Sequence, residues 1–181
     1  LQDRPLFNAR EAERYLLLAN DIPGLDTRLV LRPTGAQGEV VGEVQVTRTP
    51  IAFDLNVQNF GSRAVGHYGG IARMRLNGLT GMGDETTFGY YATSDFDEQL
   101  VAIAGHHFRI GDEGLAIGSD VTYARTRPSL PGNLAVESRT LVWSSAARYP
   151  LRLSQSHSAW ANAGFDWIDQ DVELAATTLT R

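Results

Sequence analysis

Residues 53–83 read FDLNVQNFGSRAVGHYGGIARMRLNGLTGMG, and the fold turns on them. Phe53, Leu55 and Val57 alternate with Asp54, Asn56 and Gln58. Beyond a turn, Tyr68, Ala72, Met74 and Leu76 alternate with His67, Arg73, Arg75 and Asn77. A period of two means strands with one apolar and one polar face, because successive side chains leave a strand on opposite sides. The pattern recurs downstream. In LAIGSDVTYART (115–126), Leu115, Ile117, Val121 and Tyr123 share one face, and Gly118, Asp120, Thr122 and Thr126 share the other. In QLVAIAGHHFRI (99–110) the apolar side is Leu100, Ala102, Ala104, Phe108 and Ile110, and the opposite side is mixed. The reading predicts seven strands, near 51–60, 66–77, 85–94, 99–110, 115–126, 138–149 and 157–168.

Upstream, residues 1–50 have a different character. Asn8 with Glu11 can cap a helix reciprocally, and Ala12, Leu16 and Ala19 then share one face with Tyr15 beside them. Pro23-Gly24 stops that helix. Two strands follow, near 27–32 and 39–47, joined by TGAQG (34–38). A helix on a hairpin is the end of a small α+β module, and this much chain buries too little apolar surface to be a whole one.

Composition narrows the function. The formal charge of −5 argues against a general nucleic-acid surface, and the absence of cysteine removes disulfides and thiolate chemistry. Apolar runs such as VAIA and YLLLA are far too short for a spanning helix. Alternating strands hide from average hydropathy, so a membrane barrel stays open. A ten-residue strand tilted by about 45° covers roughly 23 Å, close to the apolar band of an outer-membrane barrel. The turns after the second and fourth of the seven strands, GLTGMGD and GDEG, are short, whereas RPSLPGNLAVES after the fifth is long. Short turns on one rim and longer loops on the other are a barrel habit, although a soluble sandwich produces similar strands. A chain that begins at Leu1 and stops at Arg181 after a loop-like run is expected to be an internal portion of a longer protein.

Five segments in order carry a family resemblance: YLLLANDIPGL (15–25), the hairpin after it, QNFGSRAVGHY (58–68), LNGLTGMGDE (76–85) and ARYPLRLSQS (147–156). Together they resemble the transporters of bacterial two-partner (type V) secretion, the haemolysin secretion/activation family known as TpsB or ShlB/FhaC. Two departures stand out. Gln58 occupies the place of the family's usual Asp, and YPLRLS carries its arginine one place early. The resemblance implies a partial transmembrane antiparallel β-barrel over 51–181, preceded over 1–50 by the C-terminal part of a POTRA domain. It implies a whole barrel of about sixteen strands, with a gating loop, a plug helix and a first POTRA domain outside these residues. The implied activity is secretion, with or without activation, of a large haemolysin- or adhesin-type exoprotein. The implied partners are that unfolded client and outer-membrane lipid, with a monomeric barrel in the bacterial outer membrane, the POTRA part in the periplasm, and no cofactor. The rivals are an assembly factor of the BamA type and a soluble β-sandwich binding module.

Arginine is costly on a lipid face, so Arg73 and Arg75 are expected to line the lumen with Asp54, Asn56, Asp120 and Arg148. Leu55, Leu76, Ile117, Val121 and Trp143 are expected to face outward. Arg28 and Arg32 are candidates for client binding at the hairpin, at a sheet edge or in a groove beside the helix. Catalysis has no foothold: there is no G-x-S-x-G and no cysteine, so no enzyme is expected. His106 and His107 point to opposite faces of a strand and cannot chelate one metal. GLTGMG lacks the helix that a phosphate cradle needs. Asp166, Asp169, Asp171 and Glu173 read as a solvated outer loop without EF-hand spacing.

Overall fold

A computed structural model describes residues 9–35, 40–130, 134–154 and 156–176. Helix α1 (Ala9–Asn20) leads into an antiparallel hairpin, β1 (Leu25–Pro33) and β2 (Val40–Arg48). The proposed cap at Asn8 and most of the TGAQG turn lie outside the described residues. The helix ends as the sequence predicts: Gly24 has φ of 71°, and a Cβ there would stand 2.5 Å from the Thr49 carbonyl oxygen. Asn20 fastens the end of the helix to β1. Its Oδ1 accepts from Thr27 N and Oγ1 at 2.5 Å each, and its Nδ2 donates to Thr27 O at 3.0 Å.

The helix covers the expected face and one residue beyond it. Ala12 and Leu18 are buried, Leu16 and Ala19 are half-buried, and Tyr15 is exposed. The reason is a second neighbour. Leu18 lies against the turn at Gly114, which Pro150 also lines, so the helix is covered from the large sheet as well as from the hairpin.

That sheet is a seven-stranded antiparallel meander in chain order: β3 (Ile51–Gln58), β4 (Gly69–Asn77), β5 (Glu85–Thr93), β6 (Gln99–Ile110), β7 (Leu115–Thr126), β8 (Leu134–Leu153) and β9 (Ser158–Ala176). Its register gathers like with like. Phe53, Met74, Phe88, Ala104, Val121, Trp143 and Trp167 form one cross-strand row through all seven strands. On the other face, Ala52, Arg75, Thr87, Gly105, Asp120, Ser144 and Asp166 form the neighbouring row. Among the described residues no second sheet covers the apolar face, so they do not form the sandwich of the rival reading. Among the described residues the buried hydrophobic side chains are Ala12, Leu18 and Ala92, while Phe53 is 66% and Leu55 68% exposed. Each such side chain forgoes roughly 1.5–3 kcal/mol if left in water, so a contiguous face of them requires an apolar surrounding.

Four of these seven strands differ from expectation by two residues or more. β3 stops at Gln58 and β4 starts at Gly69, so residues 59–60 and 66–68, expected as strand ends, join 61–65 in a loop. β8 and β9 run longer than the apolar pattern, because each continues the other's backbone ladder. Asp169, Asp171 and Glu173 therefore lie in β9, opposite Leu141, Arg139 and Glu137, and not in an outer loop. The β8–β9 register shifts between Pro150 and Arg152, as expected where proline has no N–H to offer the ladder. The rim asymmetry is mild: the helix side has turns 78–84, 111–114 and 154–157, and the far side has 59–68, 94–98 and 127–133. Among the described residues no helix is long and apolar enough to cross a membrane, which says nothing of a β-barrel.

Candidate functional site

The polar face and the seam beneath it form the candidate site. Asp54 sits opposite Arg73 but pairs with Arg75 diagonally, Oδ2 to Nη2 at 2.9 Å. Arg73, exposed and facing Gly89 on its other side, has no hydrogen bond or ion pair among the described residues. Asn56 shares this face opposite Ile71 and is exposed. Arg73 and Leu76 stand on opposite faces, as the alternation requires, and Leu55, Leu76, Ile117, Val121 and Trp143 all share the apolar face.

Asp120 meets a residue that sequence reading left out. His107 Nε2 stands 3.0 Å from Asp120 Oδ2. The contact is built by two glycines: Gly105 lies opposite Asp120, and Gly118 lies opposite His107. A Cβ on Gly105 would collide with Asp120 Oδ1, and one on Gly118 would stand 2.5 Å from His107 Nδ1. Each polar side chain thus lies flat over the glycine facing it, and the two meet between the strands. His106 points to the apolar face, where Thr86 Oγ1 is 2.9 Å from its Nδ1 and Phe108 stacks on it at 5.7 Å.

Arg148 lies on the polar face between Ala116 and Asn162, its guanidinium 3.6 Å from the centre of the Trp160 ring. The charges expected to line the lumen fall into three separate arrangements, Asp54–Arg75, His107–Asp120 and Arg148–Trp160, with Arg73 outside them. The face is also less uniformly polar than expected. Ile71, Tyr91 and Val101 form part of one row, and Ile103, Val142 and Ile168 part of the next.

Arg28 and Arg32 occupy the hairpin face away from Thr27 and the helix. Arg28 pairs with Asp26 at 3.3 Å and Arg32 with Glu43 at 3.2 Å, all exposed. They flank the outer surface of the hairpin and do not line a helix-side groove.

At the helix-side rim, the helix–hairpin unit is locked to the large sheet. Arg109, with its side chain 14% exposed, donates Nη1 to Asp21 Oδ2 at 2.9 Å and Nη2 to the Asp21 carbonyl oxygen. Arg48 Nη2 donates to Gly78 O at 3.1 Å. Asn77, nearly buried, donates Nδ2 to Thr49 O at 2.8 Å. The turn 78–84 is organised by Asp84, which has no exposed surface. Its carboxylate accepts from Leu79 N and Thr80 N at 3.0 Å each and from Thr80 Oγ1 at 2.6 Å. Burial alone would raise its pKa, but the hydrogen bonds from Thr80 and Leu79 together outweigh burial and hold it below the usual carboxylate value.

Neither a family model nor a curated protein matches the sequence. Solved structures do match. CdiB from Escherichia coli superposes with a TM-score of 0.72 at 13% identity, over 88% of this chain and 31% of that one. BamA from Haemophilus ducreyi lacking POTRA domains 1–3 aligns at a TM-score of 0.44 and 9% identity, over 86% of this chain and 35% of that one, a likeness too slight to argue from. The chain thus spans under a third of the length of CdiB, and over that span it has the same fold: a helix and hairpin followed by part of an antiparallel β-barrel.

Proposed function

We propose that this chain is part of an outer-membrane polypeptide transporter that secretes a large haemolysin- or adhesin-type exoprotein by two-partner secretion, and that it is not an enzyme. The observation that carries this reading is the amphipathic seven-stranded sheet in the CdiB fold. Its exposed apolar face suits lipid, and its opposite face carries Asp54, Arg73, Arg75, Asp120 and Arg148. Residues 1–50 are the end of a periplasmic POTRA domain, and residues 51–181 are the first part of the barrel wall, closed as a monomer by strands beyond those described. The unfolded client is captured at the POTRA side and passes along the polar face. Arg28 and Arg32 sit beside the hairpin edge, where an extended segment can add as a strand.

The test is deletion of the gene for the full-length protein. Loss of one large exoprotein from the medium, with the outer-membrane protein profile unchanged, is the expected result. A general loss of barrel proteins from the outer membrane would instead make this an assembly factor.

A further inference from the structure

The loop 59–68 contains most of the QNFGSRAVGHY segment, and it does not project freely from the far rim. Its ends close on themselves: His67 Nδ1 is 3.2 Å from Gly61 O, Val65 N donates to Ser62 O at 3.2 Å, and the backbones of Gly61 and Gly66 approach so closely that no Cβ fits on Gly61. Its middle reaches the loop after β7. Ser129 N donates to Ala64 O at 2.6 Å. Between them stands Glu98, from the loop after β5, which accepts from Ser129 Oγ at 2.6 Å and gives its carbonyl to Arg127 N at 2.7 Å.

Position shows which face this loop covers. Gly66 has φ of 97°, and a Cβ there would stand 2.6 Å from Thr93 Cβ and 3.0 Å from Glu98 Oε2. Thr93 is opposite Gly69, on the face that carries Arg73, and is only 2% exposed. The ends of β4 and β7 are three strand spacings apart, roughly 14 Å. Half the loop, out and back, reaches about 16 Å if fully extended. Loop 59–68 and the stretch 127–129, which leans back to Glu98, together span that distance, and with Gly66 over Thr93 they meet across the end of the polar face.

Resting on the transporter reading, we propose that residues 59–68 form a strap across the outer end of the polypeptide path, latched through Ala64, Ser129 and Glu98, and that the latch must release for the client to pass. The described residues contain no cysteine, and an N···O contact of 2.6 Å keeps the Cα atoms of Ala64 and Ser129 within the span that a disulfide bridges. In the full-length protein, Ala64→Cys with Ser129→Cys, oxidised, is compared with each single cysteine. Secretion is expected to fall several-fold in the double variant at normal surface abundance, and to recover with reductant. In parallel, Gly66→Val forces a side chain into Thr93, and Glu98→Gln with Ser129→Ala removes only latch side chains. Both are expected to raise single-channel conductance in planar bilayers several-fold. Conductance reads the strap whatever the cargo, so the strap stands if conductance rises even where deletion of the protein affects no exoprotein. Unchanged conductance in both variants, or normal secretion through the oxidised double cysteine, would overturn it.

Discussion

Arg73 and Arg75 stand two residues apart on one strand, yet their situations differ. Arg75 is tied to Asp54, whereas Arg73 has no partner among the described residues. The Arg75–Asp54 pair is about half exposed, and such pairs contribute roughly 0–1 kcal/mol. Arg73→Gln with Arg75→Gln should therefore leave assembly and abundance of the full-length barrel intact. If the polar face lines the conducting path, removing two positive charges from it shifts selectivity toward cations. The reversal potential across a salt gradient in planar bilayers is the measurement, and an unchanged value would take these arginines off the path. Asp84 makes the opposite prediction, on stability rather than conductance. Its carboxylate holds three donors, so Asp84→Ala should cost roughly 1–3 kcal/mol, read as an earlier thermal transition in detergent. Its pKa is lowered from 3.8 in the folded state. Its contribution is therefore full above 3.8 and is lost as pH falls below that value toward the folded pKa. The gap between wild type and Asp84→Asn should close as the pH is taken down through this range.

Among the elements, α1 shows how a short helix is held in place. Twelve residues make a marginal helix in isolation. Here one side rests on β1 through Asn20 and Thr27, and Leu18 rests on Gly114. Gly114 matters twice: its φ is 87°, and a Cβ would stand 2.5 Å from Leu18 Cδ2. Gly114→Val should therefore separate the helix–hairpin unit from the rim while the large sheet persists. Limited proteolysis near residues 21–25 should quicken several-fold, with the barrel part protected. Equal protection in both proteins would mean that this contact does not hold the unit. The Leu-rich helix and its Pro-Gly stop were legible because they follow local rules. The burial of Leu18 beside the expected face was not, because Leu18 meets Gly114, about a hundred residues away.

For the molecule as a whole, the governing fact is the seven-stranded sheet, which among the described residues has one uncovered apolar face and two free edges. Among the described residues β3 and β9 each have one neighbour, so each leaves a row of backbone N–H and C=O groups unpaired there. Expressed alone, the 181 residues should aggregate in plain buffer and become dispersed only in detergent or lipid. A monodisperse, cooperatively melting protein in buffer would be incompatible with a barrel wall.

The sequence by itself determined the strands and their facing. Period two is a local property of the backbone, so Asp54, Arg73 and Asp120 were bound to share one face and Leu55, Leu76 and Val121 the other once register was set. It also bounded the strands wherever glycine turns interrupt the pattern, as at Asn77–Glu85 and Ile110–Leu115. Only the tertiary structure decided what those side chains meet. Arg75 reaches Asp54 diagonally, His107 finds Asp120 over two glycines, and Arg109 reaches back to Asp21, because register, twist and the docking of α1 bring distant segments together. Residues 59–68 illustrate the limit most plainly. Their alternation is weak and glycine-rich, so composition reads equally as strand end or loop. Their path across the polar face is set by Thr93, Glu98 and Ser129, none of which is near them in the chain.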